Sequence, residues 1–221
     1  MFDAAIHYNS TGHTFVVDGV VTPATLSADG SMSIHCKDCS ATKSKTTIYK
    51  VSTVNLSATS YTYNGKVKTP SVTVKDSKGN TLKKDTDYTV SYSSGRKNVG
   101  KYTVTIKGKG KYSFTKKLTF KINPAKTSLK SLSAGSKAFT VKWTKKTTQV
   151  TGYQIQYSTS SKFTDSTTKT VTIKKNSTTS KTIKKLKAKK KYYVRVRTYK
   201  TVDGTKYYSS WSDKKSVTTK K

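Results

Sequence analysis

The sequence predicts an all-β protein: two tandem antiparallel β-sandwiches with a small N-terminal β-hairpin module. Three observations carry this. The 221 residues contain no Glu, and Thr, Ser, Val and Tyr dominate over the helix builders Ala and Leu. Short runs of alternating large and small side chains recur, separated by Gly-, Asn- and Ser-rich turns. Hydrophobic residues make up 32%, too few for one large core but enough for several thin ones.

Residues 1–50 form the small module. Thr14 to Val21 and Ser31 to His35 read as strands joined through the turn Ser27-Ala28-Asp29-Gly30, with Thr46 to Val51 as a third. That is too little for an independent sandwich. The module is expected to pair with an upstream segment or to lean on the next one.

Residues 51–123 are the first sandwich. Tyr61 to Lys66 is a strand entering an Asn64-Gly65 turn. Ser71 to Val74 leads into the loop Asp76-Ser77-Lys78-Gly79-Asn80, and Asp87 to Tyr92, Lys101 to Lys107 and Ser113 to Ile122 alternate. Gly108-Lys109-Gly110-Lys111 is a lysine-rich hairpin turn, and Asn123-Pro124-Ala125-Lys126 is a linker.

Residues 127–219 are the second sandwich. Phe139, Val141 and Trp143 share one face of a strand, as do Tyr153, Ile155 and Tyr157 of the next. Lys169 to Ile173 and Ser180 to Ile183 are thinner strands. Tyr192, Val194 and Val196 lie opposite Tyr193, Arg195, Arg197 and Tyr199, and Ser216 to Thr219 closes the chain.

Two resemblances rest on these residues. Tyr63-Asn64-Gly65-Lys66, Pro70, Asp87 to Tyr92, Asn98-Val99-Gly100 and Gly108 to Tyr112 resemble the bacterial Ig-like repeats of Gram-positive surface proteins. Phe114 stands where such repeats often have a small residue. Trp143, Tyr153, Tyr157, and Leu186 with Tyr192, resemble a fibronectin type III domain over nearly its full length. There Trp143 is core, and Leu186 with Tyr192 forms a tyrosine corner. Tyr208-Ser209-Ser210-Trp211-Ser212 is similar to the tryptophan–arginine ladder motif of some such domains, with Tyr208 replacing the first Trp. The chain has only three arginines, Arg96, Arg195 and Arg197. Using two on one strand points to guanidinium stacking on aromatic faces. The expectation is one outer-face stack of Arg195, Arg197, Tyr199, Tyr208 and Trp211, serving as a brace or as a binding face for sugar or peptide.

Charge speaks to partners. Lys plus Arg is 44 against ten acids, a net charge of +34. Two readings stay open: a solvated lysine surface, or attraction to anionic polymers and glycans of a cell wall or host matrix. The scarcity of Arg argues against a specific nucleic-acid site. The expected state is a monomer. No apolar run follows Met1-Phe2-Asp3 and no stretch has membrane-spanning length. An extracellular or cell-surface location therefore implies a fragment or a misassigned start.

Chemistry-bearing motifs are few. Cys36-Lys37-Asp38-Cys39 supplies two thiols, with His13 and His35 as further metal ligands. Residues 13–46 resemble small hairpin modules of the same class of surface protein, but Leu26 and Ser40 replace a Cys and a Gly of their pattern. Zinc, a local disulfide and free thiols all stay open, and no other cofactor is expected. Asp85-Thr86-Asp87 reads as a strand-capping turn rather than a calcium corner, since calcium needs about six or more oxygens. No nucleophile elbow, carboxylate pair or phosphate-binding loop is evident. The expectation is thus a non-catalytic extracellular spacer or adhesion segment, with an accessory carbohydrate-binding tail of a secreted hydrolase as the alternative.

Overall fold

The computed structural model describes residues 7–8, 14–36 and 42–221. Strands β1 (His7–Tyr8), β2 (Thr14–Thr22), β3 (Gly30–Cys36) and β4 (Thr42–Ile48) form one antiparallel sheet in chain order. The strand expected at Thr46 to Val51 is split. Lys50 donates its amide to Asp29 Oδ1 at 2.7 Å and Val51 donates to the Thr25 carbonyl at 2.9 Å, so the chain turns there and a new strand begins. The module leans on its successor: Ala24 donates to the Lys111 carbonyl at 2.9 Å, and Ser113 donates to the Ala24 carbonyl at 2.8 Å.

Next come β5 (Val51–Leu56), β6 (Ser60–Thr62), β7 (Val72–Asp76), β8 (Tyr88–Tyr92), β9 (Gly100–Gly108) and β10 (Thr115–Asn123). β5 pairs with β7, and the other four lie in the order β6-β10-β9-β8. Val74, Val104, Ile106 and Phe120 are buried. Hydroxyls of Tyr88 and Tyr92 donate to the Val72 and Pro70 carbonyls, at 3.2 and 2.7 Å.

The Asn64-Gly65 turn is present, with Gly65 at φ 75°, but it does not close a hairpin. Asn64 Oδ1 accepts from the Lys66 amide and from Lys68 Nζ, which bends the chain without reversing it. β6 instead runs parallel to β10, with Tyr61 opposite Ile122. At Phe114 the ring lies where a Gly108 side chain would stand: an added Cβ would meet Phe114 Cδ1 at 2.8 Å and the Tyr112 carbonyl oxygen at 2.7 Å. The Asp85–Asp87 segment is a turn. Asp87 Oδ2 accepts from the Lys83 amide at 2.7 Å, and Asp85 donates its amide to the Tyr88 carbonyl.

The last strands are β11 (Leu129–Gly135), β12 (Ala138–Trp143), β13 (Gly152–Ser158), β14 (Thr168–Ile173), β15 (Ser180–Ile183), β16 (Lys191–Val202), β17 (Thr205–Tyr208) and β18 (Lys215–Thr218). One sheet has the order β11-β12-β15. The other is β14-β13-β16-β17, with β18 also paired to β16. Between them lies one core that includes Phe139, Val141, Trp143, Tyr153, Ile155 and Val194. Alternation put these residues on inward faces, and all six are at most 1% exposed. Tyr192 is buried, Leu186 packs against the same core, and the Lys187 amide donates to the Tyr192 hydroxyl at 3.3 Å.

Contacts gather the chain into two compact units. One takes in the described residues up to Thr59 with Thr69–Ser94 and Tyr102–Phe120. The other takes in Ser60–Lys68, Gly95–Lys101 and Lys121–Lys221. Among the described residues no helix is long and apolar enough to cross a membrane.

Candidate functional site

The site is the outer face of β16. Inward-pointing Tyr192, Val194 and Val196 feed the core, so strand alternation turns Tyr193, Arg195 and Arg197 outward. The neighbouring strand does the same. β13 buries Tyr153 and Ile155 and turns out Gln154 and Gln156, in a register that sets Gln154 opposite Arg197 and Gln156 opposite Arg195. Each guanidinium donates through both Nε and Nη2 to a single carboxamide oxygen. The distances are 2.9 and 2.6 Å for Arg195 to Gln156, and 3.0 and 2.7 Å for Arg197 to Gln154. The glutamine amide nitrogens donate onward to Thr170 and Thr172 of β14, at 3.2 and 3.4 Å. Three strands are thus cross-linked by two polar rungs.

Aromatic rings fill the faces of the guanidiniums. The Arg195 guanidinium carbon lies 4.1 Å from the Phe163 ring centre and 4.6 Å from that of Trp211. The Arg197 carbon lies 4.3 Å from Trp211 and 3.9 Å from Tyr208. Residues two apart on a strand are about 7 Å apart, so the arginines take opposite sides of the indole. The order is Phe163, Arg195, Trp211, Arg197, Tyr208, alternating ring and cation. Burial pushes both guanidinium pKa values below their ordinary range; at Arg197, Tyr208 opposes the shift and Arg195 adds to it.

Two serines place Trp211. β16 pairs with β18 over Lys191–Val194 and with β17 over Tyr199–Val202, leaving an unpaired gap between. In that gap the Val196 amide donates to Ser212 Oγ and the Thr198 amide to Ser209 Oγ, at 3.0 and 3.1 Å. The Ser212 and Ser209 amides donate back to the Val196 and Thr198 carbonyls, at 2.8 and 3.1 Å. Ser210 and Trp211 lie between these anchors, so Trp211 is held over the arginines.

The structure therefore brings Arg195, Arg197, Tyr208 and Trp211 together, all half-buried. Tyr199 departs from the expected accessible face. It lies 6.1 Å from the Tyr208 ring but is only 2% exposed, with Lys206 Nζ 5.5 Å from its ring centre. It is a floor under Tyr208 and cannot meet a ligand. Sequence reasoning missed Phe163, Gln154 and Gln156. The glutamines carried a signal, since β13 holds two of the chain's three glutamines on its polar face.

Of the metal candidates, Cys36 is buried. Cys39 and His13 lie outside the described residues, as does the side chain of His35. Among the described residues no cluster of three or more His, Cys, Asp or Glu is poised to hold a metal.

Comparison with known proteins gives two families. Residues 50–143 match the MBG domain and residues 123–214 match the fibronectin type III domain. No curated protein matches the chain. Three solved structures are similar to parts of it. The chicken CNTN1 FN1–FN3 domains are 15% identical, over 87% of this chain and 78% of that one, with a TM-score of 0.40. A computationally redesigned β-sandwich is 18% identical, over 42% and 85%, with a TM-score of 0.32. A β-1,2-glucanase from Parabacteroides distasonis is 18% identical, over 54% and 18%, with a TM-score of 0.35. The chain is an all-β protein whose residues 50–143 are similar to the MBG domain and whose residues 123–214 are similar to the fibronectin type III domain, each match spanning less than half of its length.

Proposed function

We propose that this chain is a non-catalytic extracellular spacer and adhesion segment of a bacterial surface or secreted protein. It is organised as a module at 1–50, a sandwich at 51–123 and a second sandwich at 127–219. The observation that carries this reading is the pairing of an MBG domain with a fibronectin type III domain along one chain. The net charge of +34 supports an added affinity for anionic polymers of a wall or host matrix. The Arg–aromatic ladder acts as a brace. Both sides of Trp211 are taken by guanidiniums, which leaves no free face for the stacking a sugar would need.

The test is co-sedimentation of the purified chain with isolated bacterial walls and with mucin, across a range of salt. Binding that weakens steeply with salt is expected. Absent or salt-insensitive binding overturns the polyanion part. Uncharged-glycan binding abolished by Trp211→Ala in a folded variant would favour an accessory carbohydrate-binding tail.

A further inference from the structure

At one end of the second core, four strands start or stop together: β12 begins at Ala138, β15 ends at Ile183, β16 begins at Lys191 and β18 ends at Thr218. The connections there are tied by backbone hydrogen bonds. Leu186 donates to the Lys137 carbonyl at 2.9 Å, Lys137 to the Lys220 carbonyl at 3.2 Å, and Lys220 to the Gly135 carbonyl at 2.9 Å. The Thr219 hydroxyl donates to the Lys187 carbonyl at 2.6 Å and accepts from the Lys190 amide at 3.0 Å.

This end is loaded with charge. Six of the eight residues at 184–191 are lysine, and Lys137, Lys220 and Lys221 bring the number to nine. All nine side chains are exposed. None of the nine is ion-paired among the described residues.

The backbone adds an independent sign. Lys137, Lys185 and Lys189 have φ of 45°, 60° and 49°. That left-handed region suits Gly and Asn, and a long side chain there is a local cost. All three of the lysines with positive φ among the described residues lie at this end. Turn geometry asks for a different residue at each of these positions, and each holds a cation.

We infer that this end is a docking site for a flexible, linear phosphodiester polymer without bases. The inference rests on the polyanion affinity proposed above and gives it a location. Nine compact ammonium groups and no guanidinium fork suit phosphates met as point charges, rather than base edges read by bidentate contacts.

The test uses the full chain with poly(glycerol phosphate), titrated at several salt concentrations. The variant Lys137→Asn, Lys185→Asn, Lys189→Asn keeps residues that accept positive φ. A control carries Lys101→Gln, Lys107→Gln and Lys117→Gln on exposed strand positions. Affinity of the asparagine variant should fall by at least about ten-fold, and its log–log salt slope should drop by roughly two, against less than about two-fold for the control. The asparagine variant should also unfold at a higher temperature. Equal losses in the two variants would overturn this site while leaving polyanion binding intact. Wild type that fails to bind would overturn both. A lower unfolding temperature for the asparagine variant, or tighter wild-type binding to heparin of matched charge, would also overturn the assignment.

Discussion

Arg197 reaches across the sheet to Gln154 and spends both Nε and Nη2 on one carboxamide oxygen, at 3.0 and 2.7 Å. That fixes the plane of the guanidinium, and the fixed plane is what lets Tyr208 and Trp211 pack against its faces. Hydrogen bonds in the plane and rings out of it use different directions of the same group, so the two sets of contacts reinforce each other.

Replacing Arg197 by Lys removes the fork and the flat faces while keeping the charge. The expected loss is about 1–2 kcal/mol, read by urea unfolding. A double-mutant cycle with Trp211→Ala should show a coupling of about 1 kcal/mol. Strict additivity would mean that the ring and the cation are merely neighbours.

Ser209→Ala and Ser212→Ala should each cost about 1–3 kcal/mol, because each leaves a buried β16 amide without an acceptor. Ser210 is exposed and serves as the comparison. Its alanine variant should unfold within about 0.5 kcal/mol of wild type.

Asp76 makes stability depend on pH. Burial raises its pKa, but the side chain of Asn80 and the amides of Asn80 and Lys78 more than offset this and hold the carboxyl below its ordinary value. Ionised Asp76 is thus favoured by folding. Its contribution is complete above about pH 4, where the unfolded group is also ionised, and is lost as pH falls through the lower folded value. In urea titrations from pH 6 to pH 2.5, wild type should lose more stability than Asp76→Asn.

Trp143 buries its indole N–H beside the Tyr153 hydroxyl, outside full hydrogen-bond geometry. Trp143→Phe gives up that weak contact and keeps most of the ring, so a loss of about 1–2 kcal/mol is expected. Trp143→Ala, which empties the site, should cost about 3–5 kcal/mol.

Strand alternation is a local property, and it was legible. Phe139, Val141 and Trp143 fall inward because their neighbours fall outward, with no need to know which strand lies beside them. The Arg–Trp stack was legible for a related reason, since arginine is rare enough here for its placement to carry information. The hidden parts depend on register and on loops. The pairing of Gln154 with Arg197 needs the β13–β16 alignment, and Phe163 arrives from a connection where its own φ is 54°. Asn64-Gly65 was legible as a turn, but turn propensity alone does not choose the partner of the adjoining strand, and β6 pairs in parallel with β10. Tyr199 has the right parity for the outer face, but parity does not report the cover supplied by β17.

The serine-bridged gap in β16 has a consequence for neighbouring copies. An open strand edge is a template on which another chain can add a strand. Along β16 that edge is closed throughout: by β18 at one end, by β17 at the other, and by two hydroxyls between them. Sandwiches crowded at high local density would tend to exchange strands, and along β16 an intruder finds no vacant ladder; the edges of this sheet lie on β14 and β17 instead. The same serines that aim Trp211 therefore close the middle of β16 to strand exchange.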